Sequence, residues 1–433
     1  MRTIELGVTI TDAALHDEVT VVFCDLLVDG PDRCPQCGSL GRYRDTIVRT
    51  VTDLPVAGHP LQLRVQVPRY RCENTSCERE VFRHNTDRLA RPGSSTTRRC
   101  ARHVVRRLMV DRTSIAAIAR GLGLSWDTVN AIAVEAATGL LAADPTRLES
   151  VRVIGVDEHR WAHTRRAAGD GYVTVIVDLT PVFDGVGPAR LLDLVPGRSS
   201  AVLTTWLDER GADFRGRIEV VAMVPREREV PPGFGGYKTA ATSTVPDAVT
   251  VMDPFHVVAL AGVKLDLCRQ RVQQHTRGHR GRTGDPLYGI RRVARTREEL
   301  LSDRQRRRLE KVFGQDQHLP VAVTWRIYQD IIDAYADPDR RRAKTKLTRV
   351  IDTIRSGVPD GLDELAQLGR TLHRRRADVL AYFEYRASNG PTEAINGRLE
   401  ALRRHALGFR NLLHYRIRSL LHCGNLTHAI DAL

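Results

Sequence analysis

Hydrophobic and polar positions change their spacing several times along this chain, and each change indicates a different kind of structure. Apolar and polar side chains alternate within residues 31–90, which predicts β-strands. Residues 95–145 have a helical pattern, a strand-rich block runs from about 151 to 260, and a helical, arginine-rich block spans about 261–380. The pattern therefore predicts a multidomain α+β protein.

Two apolar runs in the strand-rich block are predicted to be neighbouring strands of one sheet. Residues 151–156 form the first run, and residues 172–178 form its expected hairpin partner. Asp157 follows the first run directly. An acid at the end of a buried strand is a candidate metal ligand, although a lone aspartate there is often only a turn residue. Asp157 therefore needs partner acids before it indicates a site.

The charge of the chain narrows the choice of partner. Its 433 residues carry a formal net charge of +14, which favours a polyanion, with a membrane surface as the rival. No stretch reaches about 18 apolar residues, so no membrane-spanning helix is expected. The N-terminus lacks the apolar run of a signal peptide. We therefore expect a protein of the bacterial cytoplasm, associated with the nucleoid.

Four of the eight cysteines occur as two pairs. Two residues separate Cys34 from Cys37, and four residues separate Cys72 from Cys77. Eight cysteines in a long cytosolic chain argue against a disulfide framework. Two thiolate pairs on either side of a β-hairpin instead predict a zinc ribbon with one structural Zn²⁺ ion, and His84 is a possible extra ligand. Buried free cysteines are the alternative, which the polar residues around both pairs weaken.

Residues 114–130 have the features of a helix-turn-helix motif. Gly121 and Gly123 allow a tight turn between two short helices, and Ser125 caps the second helix. That helix is the candidate recognition helix, and four of its residues are expected to be exposed towards a DNA major groove. These four are Trp126, Asp127, Thr128 and Asn130. A plain helical hairpin is the alternative.

A second candidate acid lies in residues 388–398, which read SNGPTEAINGR. Glu393 begins a helix there, and the charges that follow are almost all positive. Four arginines of this region are expected to contact DNA: Arg398, Arg403, Arg404 and Arg410. Phosphodiester cleavage and strand transfer use two divalent ions about 4 Å apart, held by carboxylates. Asp157 on a strand and Glu393 on a helix match two of the three acid positions of an RNase H-like sheet.

Five strings in the chain resemble the bacterial insertion-sequence transposases of the ISL-three type. They are 155–158 (GVDE), 236–241 (GYKTAA), 251–257 (VMDPFHV), 388–398 and 408–411 (GFRN). The resemblance covers roughly residues 30 to 425. It implies an N-terminal zinc ribbon, a helix-turn-helix and an RNase H-like α/β catalytic domain of the DDE type with a helical insertion. It also implies Mg²⁺-dependent, cut-and-paste movement of a DNA element with terminal inverted repeats, by a homo-oligomer on double-stranded DNA.

The patterns and this resemblance together set the expected domain boundaries. The N-terminal segment and zinc ribbon should occupy residues 1–90, and the helix-turn-helix residues 91–145. The RNase H-like domain should occupy residues 150–425, with its insertion at about 261–380. The expected function is a DNA transposase that binds the terminal inverted repeats of an insertion sequence and target DNA, and that catalyses metal-dependent strand cleavage and transfer.

The second carboxylate is the point at which this chain departs from the family pattern. The resemblance places an aspartate after the strand 218–223, but Val224 occupies that position. Asp253, at the end of the next strand, is one candidate replacement, with help from His256. Two acids of the altered loop are further candidates: Glu227 and Glu229. The remaining possibility is a chain that has lost a ligand and is a catalytically impaired, transposase-derived DNA-binding protein.

Overall fold

The computed structural model describes residues 2–3, 5–162, 171–223, 236–427 and 430. The chain forms two compact units. One unit contains Met1–Arg147 together with Ala401–Leu433, and the other contains Leu148–Glu400. The residues from Ala401 onwards pack with the N-terminal part of the chain, and the expected end of the RNase H-like domain at residue 425 stays a prediction.

The sheet of the first unit has six strands. Their bounds are β1 (Arg2–Thr3), β2 (Val8–His16), β3 (Val19–Leu26), β4 (Gly41–Val56), β5 (His59–Cys72) and β6 (Val81–Arg83). The order is β1-β2-β3-β5-β4, with β6 paired to β5. In the long antiparallel hairpin of β4 and β5, Val56 pairs with His59. Ala57 and Gly58 both adopt positive φ between them, as a two-residue turn between twisted strands requires.

Three helices follow this sheet. They are α1 (Arg98–Met109), α2 (Ile115–Leu122) and α3 (Trp126–Ala143). Hydroxyl side chains cap all three: Thr97, Ser114 and Ser125 each accept a hydrogen bond from a backbone N–H of the first turn. Gly123 ends α2 in the left-handed region with φ +62°, a conformation that suits glycine. The helix-turn-helix predicted at residues 114–130 is confirmed.

The second unit is built on a five-stranded sheet. Its strands are β7 (Val153–Arg160), β8 (Tyr172–Asp178), β9 (Arg190–Pro196), β10 (Val220–Met223) and β11 (Val249–Met252). The spatial order is β11-β10-β7-β8-β9. The strands β7, β8 and β9 are antiparallel neighbours, whereas β10 and β11 run parallel to β7. This is the predicted RNase H-like sheet, and the predicted hairpin of β7 and β8 is confirmed.

Short helices accompany the sheet, and a longer helical segment follows β11. The helices before β11 are α4 (Thr180–Phe183), α5 (Ser200–Asp208), α6 (Gly211–Arg217) and α7 (Gly236–Thr244). The helices after β11 are α8 (Pro254–Arg277), α9 (Pro286–Gly289), α10 (Asp303–Phe313), α11 (Leu319–Ala336), α12 (Arg340–Arg355), α13 (Asp363–Arg374), α14 (Arg376–Tyr385) and α15 (Gly390–His405). Short 3₁₀ turns occur at Pro145–Leu148, Val293–Arg295, Glu298–Leu300 and Asp316–His318.

The inserted helices α8 to α14 have a hydrophobic core of their own. Leu265 on α8 and Leu347 on α12 are 2% and 0% exposed. Burial of a leucine contributes roughly 2 kcal/mol. The helices between β11 and α15 run from Pro254 to Tyr385, and the expected insertion at about 261–380 stays a prediction. Pro254 starts the first helix early, because proline suits the first helical position. None of the described helices is long and apolar enough to span a membrane.

The C-terminal helix α16 (Leu412–Cys423) packs in the first unit. Ile417 and Leu421 are 6% and 3% exposed, and they join the core that α1, α2 and α3 form. A helix with an apolar face of this kind is stable when that face is buried. The packing of α16 is therefore the physical reason that the last residues group with the first unit.

Candidate metal centre and DNA-binding surface

Asp157 lies within β7 and is 9% exposed. Two donors hold its carboxylate. The backbone N–H of Glu158 donates to Oδ1 at 2.8 Å, and Nδ2 of Asn396 on α15 donates to Oδ2 at 2.8 Å. Burial, with smaller contributions from the charges of Glu158 and Glu393, raises the pKa of Asp157 to about 7. A buried carboxylate of this kind gains most from a cation beside it, which is the electrostatic property of a metal ligand.

Glu393 lies in the first turn of α15, where a helix N-terminus favours negative charge. Its side chain is 37% exposed, and Oε1 lies 3.1 Å from Nε2 of His256 on α8. Asn396, one turn further along α15, bonds Asp157 and so holds this helix against β7. The structure thus brings Asp157 and Glu393 into one neighbourhood from the strand and the helix that the sequence indicated.

Gly155 allows α15 to lie this close to β7. A Cβ atom built on Gly155 would overlap Oγ1 of Thr392 and would lie 3.1 Å from Oδ1 of Asn389. Asn389 and Thr392 are both 0% exposed. A side chain at position 155 would therefore push the helix away from the strand. Gly155 is not among the predicted site residues, although a glycine inside an apolar strand is the signal of a close approach.

Asp253 accepts hydrogen bonds at the N-terminal end of α8. It is 2% exposed and caps α8, where Oδ1 accepts from the N–H of Phe255 at 2.7 Å. Oδ2 accepts from Oγ of Ser388 at 2.9 Å and from the N–H of Asn389 at 2.5 Å. The carboxylate thus clamps the N-terminal ends of α8 and α15 together. The expected role of Asp253 as a metal ligand stays a prediction.

The strand register places Asp253 two strands away from Asp157. Val156 pairs with Met223, and Met223 pairs with Met252. Asp157 and Asp253 therefore follow corresponding positions on strands that β10 separates, and two inter-strand spacings amount to about 10 Å. A candidate metal cluster needs at least three ligand atoms from acids, histidines or cysteines close together. Among the described residues, only a group of cysteines has such atoms within 4.8 Å of one another. Three positions lie outside the described residues: Val224, Glu227 and Glu229.

Tyr237 and Lys238, in the Gly-Tyr-Lys string, anchor α7. Oη of Tyr237 lies 3.0 Å from Oγ1 of Thr174 on β8. Nζ of Lys238 donates to Oδ2 of Asp378 at 2.6 Å, and Oδ1 of this buried aspartate accepts from Thr250 on β11 at 2.7 Å. These contacts tie α7 to β8 and to the inserted helices. The two motif residues therefore serve the fold.

Four cysteines form a second candidate centre, beside the hairpin of β4 and β5. Sγ of Cys34 lies 3.9 Å from Sγ of Cys77, and Sγ of Cys37 lies 3.5 Å from Sγ of Cys72. Zn–S bonds of about 2.3 Å in a tetrahedron require sulfurs about 3.8 Å apart, so the cluster fits one Zn²⁺ ion. Hydrogen bonds from Ser39 lower the pKa of the Cys37 thiol to about 6, which favours the thiolate that zinc needs.

The exposed face of α3 differs from the expectation at one residue. Trp126 is 47% exposed, and Asp127 is exposed as well. Asn130 is only 7% exposed, and its Nδ2 lies 3.4 Å from Nε2 of His414 on α16, so its expected exposure was wrong. The cause is α16, which covers this side of α3. Thr128 is half-buried and lines a cleft of about 370 Å³.

This cleft lies between α1, α3 and the segment 91–97. Three arginines line it: Arg91, Arg98 and Arg102. Arg91 pairs with Glu135 on α3, and Nε of Arg98 donates to the carbonyl of Asp87 at 2.5 Å. Thr128 and Ile132 form part of the α3 wall. A basic cleft beside a candidate recognition helix suits the phosphate backbone of DNA.

The four arginines expected to bind DNA near the C-terminus lie on or after α15. Arg398 and Arg403 are half-buried, whereas Arg404 and Arg410 are exposed. Their role in DNA binding stays a prediction.

Known protein families match three successive parts of the chain. Residues 154–419, more than half of the chain, match the DDE transposase domain of the ISL3 family. The chain belongs to the ISL3 family of transposases. Residues 30–77 match the zinc-finger of the transposases IS204/IS1001/IS1096/IS1165, and residues 86–137 match the helix-turn-helix domain of transposase family ISL3. The family resemblance stated from the sequence is confirmed.

Two relatives carry the name transposase for insertion sequence element IS1557. They come from the Mycobacterium tuberculosis strains CDC 1551 / Oshkosh and ATCC 25618 / H37Rv. Each is 26% identical to this ISL3-family chain over 320 residues. The match covers 68% of this chain and 65% of the relative's own length.

Replacing Cys34 and Cys37 together with serine is expected to release the zinc of this ISL3-family chain and to unfold the ribbon, because two thiolate ligands are lost. Zinc content measured by elemental analysis should fall from about one ion per chain to near zero. His84→Gln is the matched control. Nδ1 of His84 lies 3.4 Å from Oη of Tyr70, outside the cysteine group, so this variant should keep its zinc. Full zinc content in the double serine variant would contradict the assignment.

Replacing Asp253 with asparagine is expected to lower the free energy of unfolding by about 1–3 kcal/mol, because a charged acceptor of three hydrogen bonds becomes neutral. Asparagine still caps a helix, so the fold should persist. Mn²⁺ affinity should stay within about twofold of the unsubstituted chain. Urea unfolding and a Mn²⁺ titration measure the two quantities. A lost Mn²⁺ site with unchanged stability would show that Asp253 is a ligand after all.

Proposed function

We propose that this chain is a DNA transposase that binds the terminal inverted repeats of its insertion sequence and catalyses metal-dependent cleavage and transfer of DNA strands. One observation carries the proposal. Asn396 bonds Asp157, so the helix that bears Glu393 is held against the strand that bears Asp157. Acids from these two elements form the centre of a phosphodiester-cleaving site.

The donor atoms of this site suit Mg²⁺, which prefers oxygen ligands. Asp157 and Glu393 would hold the ions, and Oδ1 of Asn396 is a buried oxygen with no hydrogen-bond partner in the described residues. Bound divalent ions activate the attacking oxygen and stabilise the leaving oxygen. The side chains orient one another: Asn396 holds Asp157, and His256 lies against Glu393.

The strand register supports a position for the third acid. Val156, the residue before Asp157, pairs with Met223, which is the last residue of β10. The next residue in the sequence is Val224, and a carboxylate there would follow its strand as Asp157 follows Val156. Valine has no ligand atom. The metal site is therefore short of one acid unless an acid of the altered loop, Glu227 or Glu229, supplies it.

The missing third acid of the metal site leads to a second candidate function. The hydrogen bonds that Asp253 accepts from Ser388 and Asn389 support a structural role for this acid instead of a place in the metal site. A chain without a third acid would occupy the ends of the element without cutting them. It would then be a catalytically impaired, transposase-derived DNA-binding protein.

Both candidates use the same proposed DNA-binding surface. Trp126, Asp127 and Thr128 on α3 would face base edges in the major groove, and the arginines of the adjacent cleft would contact phosphates. The C-terminal arginines would add phosphate contacts: Arg398, Arg403, Arg404 and Arg410. The partners would be double-stranded terminal repeats and target DNA, bound by a homo-oligomer.

A Mg²⁺-dependent cleavage assay on the terminal repeat of the element separates the two candidates. It compares the unsubstituted chain, Val224→Asp, and Val224→Asp combined with Asp157→Asn as the control that should not cut. Cleavage by the unsubstituted chain supports the working transposase. Cleavage by Val224→Asp alone supports the end-binding protein. Absence of cleavage by both, with end binding intact, would contradict the proposed metal site.

A further inference from the structure

Asn396 lies one turn beyond Glu393 on α15 and contacts β7. Its Nδ2 donates to Oδ2 of Asp157 at 2.8 Å. Its Oδ1 is buried and has no hydrogen-bond partner among the described residues. Buried polar atoms without partners are rare, and each one needs a reason, such as a role in catalysis or a bound ion or water.

The hydrogen bond fixes the orientation of the amide. In the ionised form that binds a cation, the carboxylate accepts hydrogen bonds and does not donate them, so the nitrogen of Asn396 faces Asp157 in that form. The N–H of Glu158 occupies the other oxygen of the same carboxylate at 2.8 Å. Two donors on two oxygens define the plane of the carboxylate, and each oxygen keeps a lone pair for a cation.

We propose that Asn396 is a positioning residue that orients the Asp157 carboxylate for metal binding. The inference rests on the proposed function of the same site. Glu393 and Asn396 are three residues apart on one helix, so a single rigid element supplies one acid and orients the other. Such a partner of a metal ligand typically changes metal affinity by 10–100-fold.

An amide is the side chain that this position needs. A carboxylate would place another negative charge against Asp157, and a lysine or arginine would neutralise the charge that attracts the metal. Alanine would leave Oδ2 of Asp157 without its side-chain donor. The side chain therefore has to donate a hydrogen bond and stay neutral.

The test measures Mn²⁺ binding to the full chain by electron paramagnetic resonance, with thermal unfolding as the check on folding. Asn396→Ala is expected to bind Mn²⁺ about 10–100-fold more weakly in a chain that still unfolds cooperatively. Asn396→Gln keeps a neutral donor and should bind more tightly than the alanine variant. Gly397→Ala is the matched control, because a Cβ at this neighbouring position meets no atom within 4 Å.

Two further results show whether the positioning role of Asn396 or the metal site itself has failed. Asp157→Asn should remove the Mn²⁺ site. If it does, and Asn396→Ala binds Mn²⁺ as the unsubstituted chain does, the positioning role is overturned while the proposed function stands. If Asp157→Asn leaves Mn²⁺ binding unchanged, or if the unsubstituted chain binds no Mn²⁺, the metal site itself fails and the positioning role fails with it. An equal loss of Mn²⁺ affinity in Asn396→Ala and Gly397→Ala would also overturn the positioning role of Asn396.

Discussion

Replacing Asp157 with asparagine is expected to slow metal-dependent DNA cleavage by about 10³-fold, and Glu393→Gln should have the same effect. Each change keeps the size of the side chain and removes the charge that holds the cation. Transition-state stabilisation by a bound metal is worth several kcal/mol, and about 4 kcal/mol corresponds to this factor. The rate should be measured in whichever version of the chain cuts, the unsubstituted one or Val224→Asp.

Binding of the terminal repeat should survive both changes, because the helix-turn-helix belongs to the other compact unit. The double variant should cost about as much as either single change, since the two acids act together. Glu158→Gln is the matched control: successive side chains of a strand point to opposite faces, so its cleavage rate should change little. An unchanged rate in Asp157→Asn or Glu393→Gln would remove that residue from the site.

Replacing Gly155 with valine is expected to slow cleavage by about 10²-fold or more. The added side chain would overlap Thr392 and crowd Asn389, which are both fully buried beside β7. The helix that carries Glu393 would have to move outwards, and a misplacement of about 1 Å costs on the order of 10²-fold in rate. Overpacking of this kind also lowers stability by about 1–3 kcal/mol. Cleavage kinetics and urea unfolding measure the two effects.

A compensating change can show that the effect arises from this contact. Gly155→Ala combined with Thr392→Ala should recover part of the rate that Gly155→Ala loses, because the second change removes the atom that the new Cβ would overlap. Gly216→Ala on α6 is the control, since a Cβ there meets no atom within 4 Å. Equal rates for Gly155→Val and the unsubstituted chain would show that the helix is not held as we describe.

Much of the fold follows from short-range patterns. The alternation of apolar and polar residues within 61–67 predicts β5. The hydroxyl caps before α2 and α3 set the first residues of these helices. The paired cysteines predict the position of the zinc ribbon. Each of these signals acts between residues that are close in sequence or that repeat at a fixed period. Local preferences of this kind do not depend on the rest of the chain, and the sequence therefore predicts them well.

Other features depend on which distant residues meet. Asp253 has the sequence context of a ligand, yet the N-terminal end of α15 takes up its carboxylate. Asn130 has the position of a recognition residue, yet α16 covers it. Local sequence could not show either contact, since the partners lie more than a hundred residues away in the chain.

The sequence by itself determined the chemistry available to this protein: the four cysteines, Asp157, Glu393, the basic helices and the valine at position 224. Only the tertiary structure decided how those groups are used. Asn396 reaches Asp157 because Gly155 leaves room for α15 against β7. Asp253 follows a strand that β10 separates from β7, and it bonds the starts of α8 and α15. The physical reason is that hydrogen bonds and close packing depend on distances in space, which the order of residues along the chain does not set.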